Sequence, residues 1–252
     1  MINVNELYKY LSERIPAELS CEWDNDGRMC VPDGNKTVNK ALVCLDITND
    51  AIDYAIENKI DCIISHHPLV FKPINGVDDE SYICKRLIKL IKNDIAALSF
   101  HTRLDVVEGG VNDVLAGKME LIDVCDFADV GRMGETEREM TVKEFGGLVK
   151  NKLGSDRVVC VDAGRTVKKI AVVGGSGKGY VSESARCGCD TFLTGEMSFD
   201  NEHEAREVGV NLICAGHYFT ENIVTCRLEE LIKAADGAIQ VYKMGTNPSF
   251  CL

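Results

Sequence analysis

The sequence predicts an α/β protein made of two related α/β domains, with mixed, mainly parallel sheets in αβα layers. Short apolar runs that end in turn residues, such as Cys62–Ser65, alternate with segments whose apolar residues recur at helical spacing. This β-α-β order favours parallel strands joined by crossover helices. The same order recurs in the middle of the chain, which indicates a second domain of the same kind.

In the first half of the chain, three predicted strands alternate with helices. Asn3 is suited to cap the first helix, whose apolar residues share one face. The only tryptophan lies in a polar loop at 22–27. In chain order the elements are helix Val4–Glu13, strand Ala41–Leu45, helix Asn49–Asn58, strand Cys62–Ser65, helix Glu80–Lys92, strand Ile95–Phe100 and a helical stretch from Val111.

The second half begins with weak polar and apolar alternation over 121–139, which predicts hairpin strands and a change of domain. Thr141 and Glu144 form a capping box that opens a helix reaching Leu153. The remaining predicted strands are Arg157–Val161, Lys169–Val173, Asp190–Thr194, Asn211–Ala215 and Ala238–Tyr242, and the remaining helices are Val181–Cys187, Glu202–Val208 and Glu221–Ala235.

The composition excludes several classes of function. The 252-residue chain has a formal net charge of −12, whereas nucleic-acid binding needs a basic surface. No run approaches the roughly 18 apolar residues of a membrane span, and the start of the chain lacks a signal-peptide core, so we expect a cytoplasmic protein with no membrane partner. Most of the twelve cysteines lie in apolar runs, where cysteine behaves as a small hydrophobic residue, and we assign none of them a function.

Two adjacent histidines, His66 and His67, follow the buried run at 62–65. Ligands collect at the carboxyl ends of strands in open α/β sheets. Adjacent side chains point apart, so a single ion rarely takes both of them, whereas two ions about 3.5–4 Å apart could take one imidazole each. The pattern therefore predicts a dinuclear metal site.

Two further pairs of metal-type residues follow strands elsewhere in the chain. His101 and Asp105 come after the next strand, and His217 and Glu221 come after a later one. Imidazole with carboxylate suits Zn, Fe or Mn better than Mg or Ca, and the two carboxylates are candidates to bridge two ions. A single histidine at such a position is more often structural, but three strand-end clusters together favour two divalent metal ions per chain.

His101 has three open roles: it could bind metal, orient a ligand or act as a general acid or base. We favour the last two and assign it as the candidate catalytic residue. Lys72 and Arg103 flank the proposed ligands, and Lys178 lies in the glycine-rich stretch 174–179, so these three cations are candidate substrate-binding contacts for an anion. The glycine-rich stretch fits neither common nucleotide-binding pattern, and both a phosphate cradle and an ordinary turn are open.

The longer motifs around these residues are Trp23–Gly27, Ser65–Pro73, His101–Asp105, Gly109–Asp113, Gly174–Gly177, Thr194–Glu196 and Gly216–Glu221. Together they resemble the Nif-three-like family, also called the type-two GTP cyclohydrolase I homologues, nearly from end to end. The Ser-His-His-Pro and Gly-His-x-x-x-Glu elements are the most specific parts of the resemblance. It implies a dinuclear metal centre and a ring-shaped homohexamer, a trimer of dimers. The ligands that it implies are His66, His67, Asp105, His217 and Glu221.

The candidate metal ligands come from residues 66–105 and again from 217–221, so the end of the chain must return to the first domain. We therefore predict that residues 1–125 and 215–252 form one domain, with 126–214 inserted as a second. The leading functional hypothesis is a metal-dependent hydrolase similar to type-two GTP cyclohydrolase I, in which two ions activate a water that acts on a small-molecule nucleotide. Two alternatives stay open. The same metal pair would suit a phosphoesterase or nucleotide pyrophosphatase, and the chain could be a non-catalytic metal-handling or regulatory ring.

Overall fold

Eleven β-strands form two sheets in the part of the chain that the computed structural model describes, residues 1–249. They are β1 Gly27–Cys30, β2 Lys40–Cys44, β3 Cys62–Ser65, β4 Ala96–Ser99, β5 Ile122–Phe127, β6 Gly131–Met140, β7 Val159–Val161, β8 Val167–Ser176, β9 Thr191–Glu196, β10 Asn211–Cys214 and β11 Gln240–Met244. Both sheets contain parallel and antiparallel pairings. The predicted α/β class with mixed sheets is confirmed.

Ten α-helices alternate with these strands within residues 1–249. They are α1 Val4–Arg14, α2 Asn49–Glu57, α3 Tyr82–Lys92, α4 Thr102–Val106, α5 Val111–Lys118, α6 Val142–Leu153, α7 Val181–Arg186, α8 Phe199–Val208, α9 His217–Glu221 and α10 Thr225–Ala235. Asn3 and Thr141 cap their helices as predicted, and a capping box is complete at Asn3 as well as at Thr141, where the sequence predicts one. Across these described residues, every helix is too short or too polar to cross a bilayer.

The first compact unit comprises Met1–Val107 and Thr225–Thr246. Its sheet has the order β1-β4-β3-β2-β11, in which only β1 runs antiparallel to its neighbour. Cys44, Ser65 and Ser99 lie side by side in register at the ends of β2, β3 and β4. The residues that follow these three strands therefore emerge at one edge of the sheet.

The strand β3 is buried along its whole length, which explains its apolar sequence. Cys62, Ile63 and Ile64 are fully buried. Ile63 belongs to one hydrophobic cluster with Leu87 and Leu90, which the amphipathic helix α3 contributes. Burial of one such side chain contributes about 1.5–3 kcal/mol to folding. This packing makes the end of β3 a rigid base for the histidines that follow it.

The second compact unit comprises Glu108–Val224 together with the described residues 247–249. Its sheet has the order β5-β6-β8-β9-β10-β7, and only the pairings β8-β9 and β9-β10 are parallel. The hairpin β5-β6 and the edge strand β7 add the antiparallel pairings. The second sheet thus has fewer parallel pairings than the sequence predicts. Its three central strands β8, β9 and β10 are parallel, and antiparallel strands flank them on both sides.

The compact units divide near residues 107 and 225, whereas the sequence prediction placed the boundaries at 125 and 215. Helix α5 packs against β6 and β8, and β5 pairs with β6, so the segment after residue 107 belongs with the second sheet. Helix α9 packs against β8 and β9, which places His217–Glu221 in the second unit as well. The end of the predicted domain 215–252, residues 250–252, lies outside the described residues.

Three short elements have no counterpart in the sequence prediction: β1, α4 and α9. Each is four or five residues long, and none has the continuous apolar run that identifies the equally short β3 and β4. The last helix was predicted from Glu221, but α10 begins at Thr225 after a 3₁₀ turn at Asn222–Val224. The difference matters because α9 carries two of the predicted metal ligands.

Candidate metal site

In the first unit, the predicted site residues lie at the edge where β2, β3 and β4 end. His66 and His67 follow β3 directly, and His101 follows β4 and precedes α4, which carries Asp105. One ring nitrogen from each of the three histidines lies within 4.8 Å of the other two. The structure therefore gathers the side chains that the sequence placed at two separate strand ends.

His66 is completely buried and has a defined tautomer. Its Nδ1 lies 2.9 Å from the carbonyl oxygen of Phe100. Because a carbonyl can only accept, Nδ1 carries the proton, and the lone pair of the ring resides on Nε2. That Nε2 lies 3.6 Å from Oδ1 of Asp105, a spacing that two ligands of a single metal ion can have.

His67 is oriented by an acid that the sequence analysis did not assign. Its Nδ1 lies 2.8 Å from Oδ1 of Asp46, which follows β2 at the same edge of the sheet. The backbone of His67 is also fixed, since its N–H donates to Leu45 and its carbonyl oxygen accepts from the hydroxyls of Ser65 and Ser99 at 2.7 and 3.2 Å. With Nδ1 facing this carboxylate, Nε2 is again the ring nitrogen that carries the lone pair.

His101 is held by Asp24, from the polar loop that contains the tryptophan. Nδ1 of His101 lies 2.8 Å from Oδ1 of Asp24, whose other oxygen accepts from the N–H and hydroxyl of Thr102 at 3.0 and 2.6 Å. Burial by itself would raise the pKa of Asp24, but the hydrogen bonds from His101 and Thr102 and the charge of His101 outweigh it and hold that pKa well below its usual range. An ionised, buried carboxylate thus orients the imidazole of His101.

Arg103, predicted as an anion contact, has a structural role instead. Its side chain is completely buried, and Nε donates to Oδ2 of Asp26 at 2.8 Å. Nη1 donates to the carbonyl of Ile15 at 3.1 Å, and the guanidinium lies 4.5 Å from the ring centre of Phe100. Since these contacts occupy the guanidinium inside the fold, Arg103 fixes the loop that carries Asp26. By contrast, Lys72 is exposed and stays a candidate anion contact.

In the second unit, His217 and Glu221 lie one turn apart on α9 and share a face, as their spacing predicts. Nε2 of His217 is 2.8 Å from Oε2 of Glu221. Nδ1 of His217 is 2.8 Å from Oε1 of Glu196, which ends β9. Glu221 is 5% exposed, so its carboxylate is held in a nearly dry position beside the imidazole.

Glu196 in turn is supported by Lys178, which was predicted as an anion contact. The ammonium of Lys178 lies 3.1 Å from Oε2 of Glu196. Partial burial would raise the pKa of Glu196, but hydrogen bonds from His217 and Lys178 outweigh it and bring the pKa below its ordinary value. Lys178 therefore helps to keep Glu196 ionised as the partner of His217, and its predicted contact with substrate stays untested.

The glycine-rich stretch makes room for the candidate metal ligands of the second unit. Gly174 and Gly175 belong to β8, and Gly175 has a φ of +59°. A Cβ atom at Gly175 would lie 1.9 Å from Oε1 of Glu221 and 3.2 Å from Nε2 of His217. The missing side chain thus leaves the space that the carboxylate fills, which favours close packing over a phosphate cradle as the reason for this glycine.

Comparison with known proteins identifies the relatives of this chain. A model of the Duf34/NIF3 family (NGG1p interacting factor 3) matches residues 2–248. The chain belongs to the Duf34/NIF3 family. The resemblance that the sequence motifs carry is thereby confirmed.

Among curated Duf34/NIF3 relatives, the Clostridium perfringens protein named GTP cyclohydrolase 1 type 2 homolog is 33% identical over 241 residues, or 92% of each chain. The Helicobacter pylori protein named GTP cyclohydrolase 1 type 2 is 33% identical over 224 residues, or 88% of each chain. Among solved structures, the Staphylococcus aureus hypothetical protein SA1388 matches with a TM-score of 0.91 at 27% identity, covering 99% of both chains.

The donor set of this Duf34/NIF3 chain could hold a metal ion in the first unit, where His66, His67 and His101 each place a ring nitrogen within 4.8 Å of the others. The second unit adds the imidazole of His217 and the carboxylate of Glu221. The four histidines share one arrangement, in which Nδ1 faces an oxygen acceptor. Metal-binding histidines in proteins usually have such a partner, because it fixes the tautomer and aims Nε2 at the ion. The chemistry of imidazole and carboxylate suits Zn, Fe or Mn.

Sequence reasoning missed the three acids that hold the histidines: Asp24, Asp46 and Glu196. Asp46 and Glu196 lie within two residues of a strand end, which is the signal that led to the histidines themselves. Asp24 lies in a loop far from His101 in sequence, and the two meet only in the folded chain, where β1 pairs with β4 and the loop is hydrogen-bonded to the start of α4.

Proposed function

We propose that this protein is a hydrolase that uses two divalent metal ions per chain to act on a nucleotide, similar to type-two GTP cyclohydrolase I. The observation that carries the proposal is the shared arrangement of His66, His67 and His217, in each of which Nδ1 faces an oxygen acceptor, so that Nε2 carries the lone pair with which a histidine ligates a metal. The names of the curated relatives support the choice of substrate class.

The proposed ligands are His66, His67 and Asp105 from the first unit and His217 and Glu221 from the second. Their joint use for the same two ions is a prediction carried by the family resemblance. Bound divalent ions would supply Lewis-acid chemistry, lowering the pKa of a coordinated water and polarising the bond to be broken. The proposed assembly is a homohexamer, a trimer of dimers, which sedimentation analysis would test.

His101 is the proposed proton carrier. Its Nδ1–H donates to the buried carboxylate of Asp24, which orients the ring and stabilises the imidazolium that forms when Nε2 accepts a proton. Asp24 stays ionised throughout, because its pKa is far below neutrality. Lys72, on the exposed segment after His67, is the proposed contact for the phosphates of the nucleotide.

The test is turnover by the purified protein loaded in turn with Zn, Fe(II) or Mn. The substrates are GTP, a dinucleotide and a simple phosphodiester, and the products are separated by chromatography. We expect GTP turnover in at least one metal form, its loss in Asp105→Ala, and retention in His203→Ala, since His203 is an exposed histidine of α8. His101→Gln should keep its metal and lose kcat.

If the metal-loaded wild-type protein turns over none of these substrates, the hydrolase proposal is wrong. The remaining hypothesis is then a non-catalytic metal-handling or regulatory ring. Hydrolysis of the phosphodiester or the dinucleotide, with GTP untouched, would instead identify a phosphoesterase or pyrophosphatase. A His101→Gln variant that loses metal in step with activity would show that His101 is a ligand, not a proton carrier.

A further inference from the structure

Two exposed aromatic side chains adjoin the proposed catalytic histidine of the first unit. Trp23 is 63% exposed and Phe71 is 42% exposed, although large apolar side chains are usually buried. The ring centres of Trp23 and Phe71 are 6.0 Å apart, and each lies close to that of His101, at 6.3 and 6.0 Å. The rings meet at 70–90°, which makes an aromatic corner with His101 at its base.

The polar residues beside these aromatic rings hold them in place. Trp23 lies in a turn closed by a 2.9 Å hydrogen bond from the N–H of Asp24 to the carbonyl of Cys21. Asp24 is anchored on His101, and Cys21 donates its N–H to Thr102 at 2.9 Å. The loop that carries Trp23 is therefore pinned to the start of α4.

The segment that carries Phe71 is tied to the same loop. The side-chain amide of Asn25 donates to the carbonyl of Val70, one residue before Phe71. The exposed cation Lys72 follows directly. An exposed aromatic pair with fixed backbone loses little conformational freedom when a ligand arrives, which favours binding.

We infer that Trp23 and Phe71 form a stacking platform for the heteroaromatic base of the nucleotide substrate. The inference rests on the proposed function, because it names how that same site takes its substrate. A planar base offers the π-face that exposed tryptophan and phenylalanine rings stack on in nucleic-acid-binding proteins. With the base against this corner, its ring atoms lie beside His101, and Lys72 is next in the chain to meet the phosphates.

The single tryptophan of the chain is a direct reporter for the test. Fluorescence of Trp23 is recorded while GTP, guanosine or inorganic triphosphate is added to the full-length protein. We expect saturable quenching by GTP and by guanosine, and no quenching by inorganic triphosphate. Phe71→Ala should raise the Kd for guanosine by about 5- to 150-fold, the effect of removing one base–aromatic stack.

The matched control is Phe199→Ala in α8. Phe199 is also exposed, at 70%, and its ring meets His203 at 89°, much as that of Phe71 meets His101 at 90°. The control should bind guanosine like wild type. Turnover of GTP is measured in a separate assay. Quenching of Trp23 fluorescence without GTP turnover would support the stacking platform and contradict the proposed hydrolase activity.

Three results would overturn the platform, even if GTP is turned over. One is the absence of quenching by any nucleotide, and another is an unchanged Kd in Phe71→Ala. The third is a Trp23 emission maximum that shifts with protein concentration in the absence of ligand and is insensitive to guanosine. That result would show that a second copy of the chain covers the aromatic corner.

Discussion

Replacement of Gly175 by alanine should weaken metal binding by Glu221 and His217 well beyond what its effect on stability explains. The new Cβ would lie 1.9 Å from Oε1 of Glu221, and Cβ atoms essentially never approach a neighbour closer than 3.0 Å. The carboxylate must therefore move by at least the difference, 1.1 Å. Ligand distances in metal sites are held within about 0.2 Å, so a shift of this size displaces Glu221 from any ion that it shares with His217.

The same substitution also strains the backbone, and the two effects can be separated. Alanine at a φ of +59° costs roughly 1–2 kcal/mol, since left-handed conformation crowds the Cβ. Gly154 is the matched control, because it has a φ of +64° and a Cβ there would meet nothing within 4 Å. Gly154→Ala should thus lose similar stability and keep its metal.

The assay combines chelator competition for metal affinity with urea unfolding for stability. We expect Gly175→Ala to bind metal about 10- to 100-fold more weakly than wild type. That is the loss of metal affinity typical when a residue that positions a metal ligand is replaced. Gly154→Ala should match wild type in metal affinity. Equal metal affinity in both variants would refute the reasoning, because it would mean that Glu221 and His217 do not hold an ion from their present positions.

Three further predictions concern the acids of the two units. Asp26→Ala leaves a buried guanidinium without its carboxylate and should lower the free energy of unfolding by about 3–5 kcal/mol in urea titrations. The pKa of Asp24 is lowered on folding, so its contribution to stability is fully present above its unfolded pKa near 4 and is lost as pH falls from there through the lower folded pKa. Asp24→Asn should therefore flatten the fall in the urea midpoint below about pH 4. Glu196→Gln removes the anionic partner of His217 and should weaken metal binding about 10- to 100-fold in chelator competition.

Each of these predictions has its own contradicting result. For Asp26, a loss no larger than that of the exposed control Asp79→Ala would show that the buried pair contributes nothing. For Asp24, the same pH dependence in variant and wild type would mean that its carboxyl is not the group that titrates. For Glu196, unchanged metal affinity would remove it from the support of His217.

The placement of the candidate metal ligands at strand ends could be predicted from the sequence, because each of them follows a recognisable strand. His66 and His67 come after a four-residue run that is buried throughout, and the apolar run identifies both the strand and its end. His217 and Glu221 are four apart, and that spacing predicts a shared helical face without knowledge of the helix bounds. Local patterns were sufficient for these residues.

The role of Arg103 could not be predicted, because it depends on contacts between distant segments. Its partners Asp26 and Ile15 are 77 and 88 residues away in sequence, and no local pattern links them. The sequence shows a cation beside metal-type residues, which is equally typical of a substrate contact. Complete burial decides between the two.

The unit boundaries were misplaced for a related reason. Ligands at residues 217–221 suggested that the chain returns to the first domain at about 215, whereas α9 packs on the second sheet and the return begins at Thr225. A shared ligand set is evidence about chemistry, but it does not say which sheet carries each ligand. Tertiary packing decides that, and it leaves no local signal in the sequence.

Metal content per chain, measured by mass spectrometry on anaerobically purified protein, tests the central claim most directly. The set comprises wild type, His67→Ala for the first unit, His217→Ala for the second, and His203→Ala as a histidine control. We expect close to two ions per chain in wild type and in the control, and clearly fewer in the other two variants. Wild-type protein without a bound transition metal, or a content unchanged by His67→Ala and His217→Ala, would contradict the metal centre.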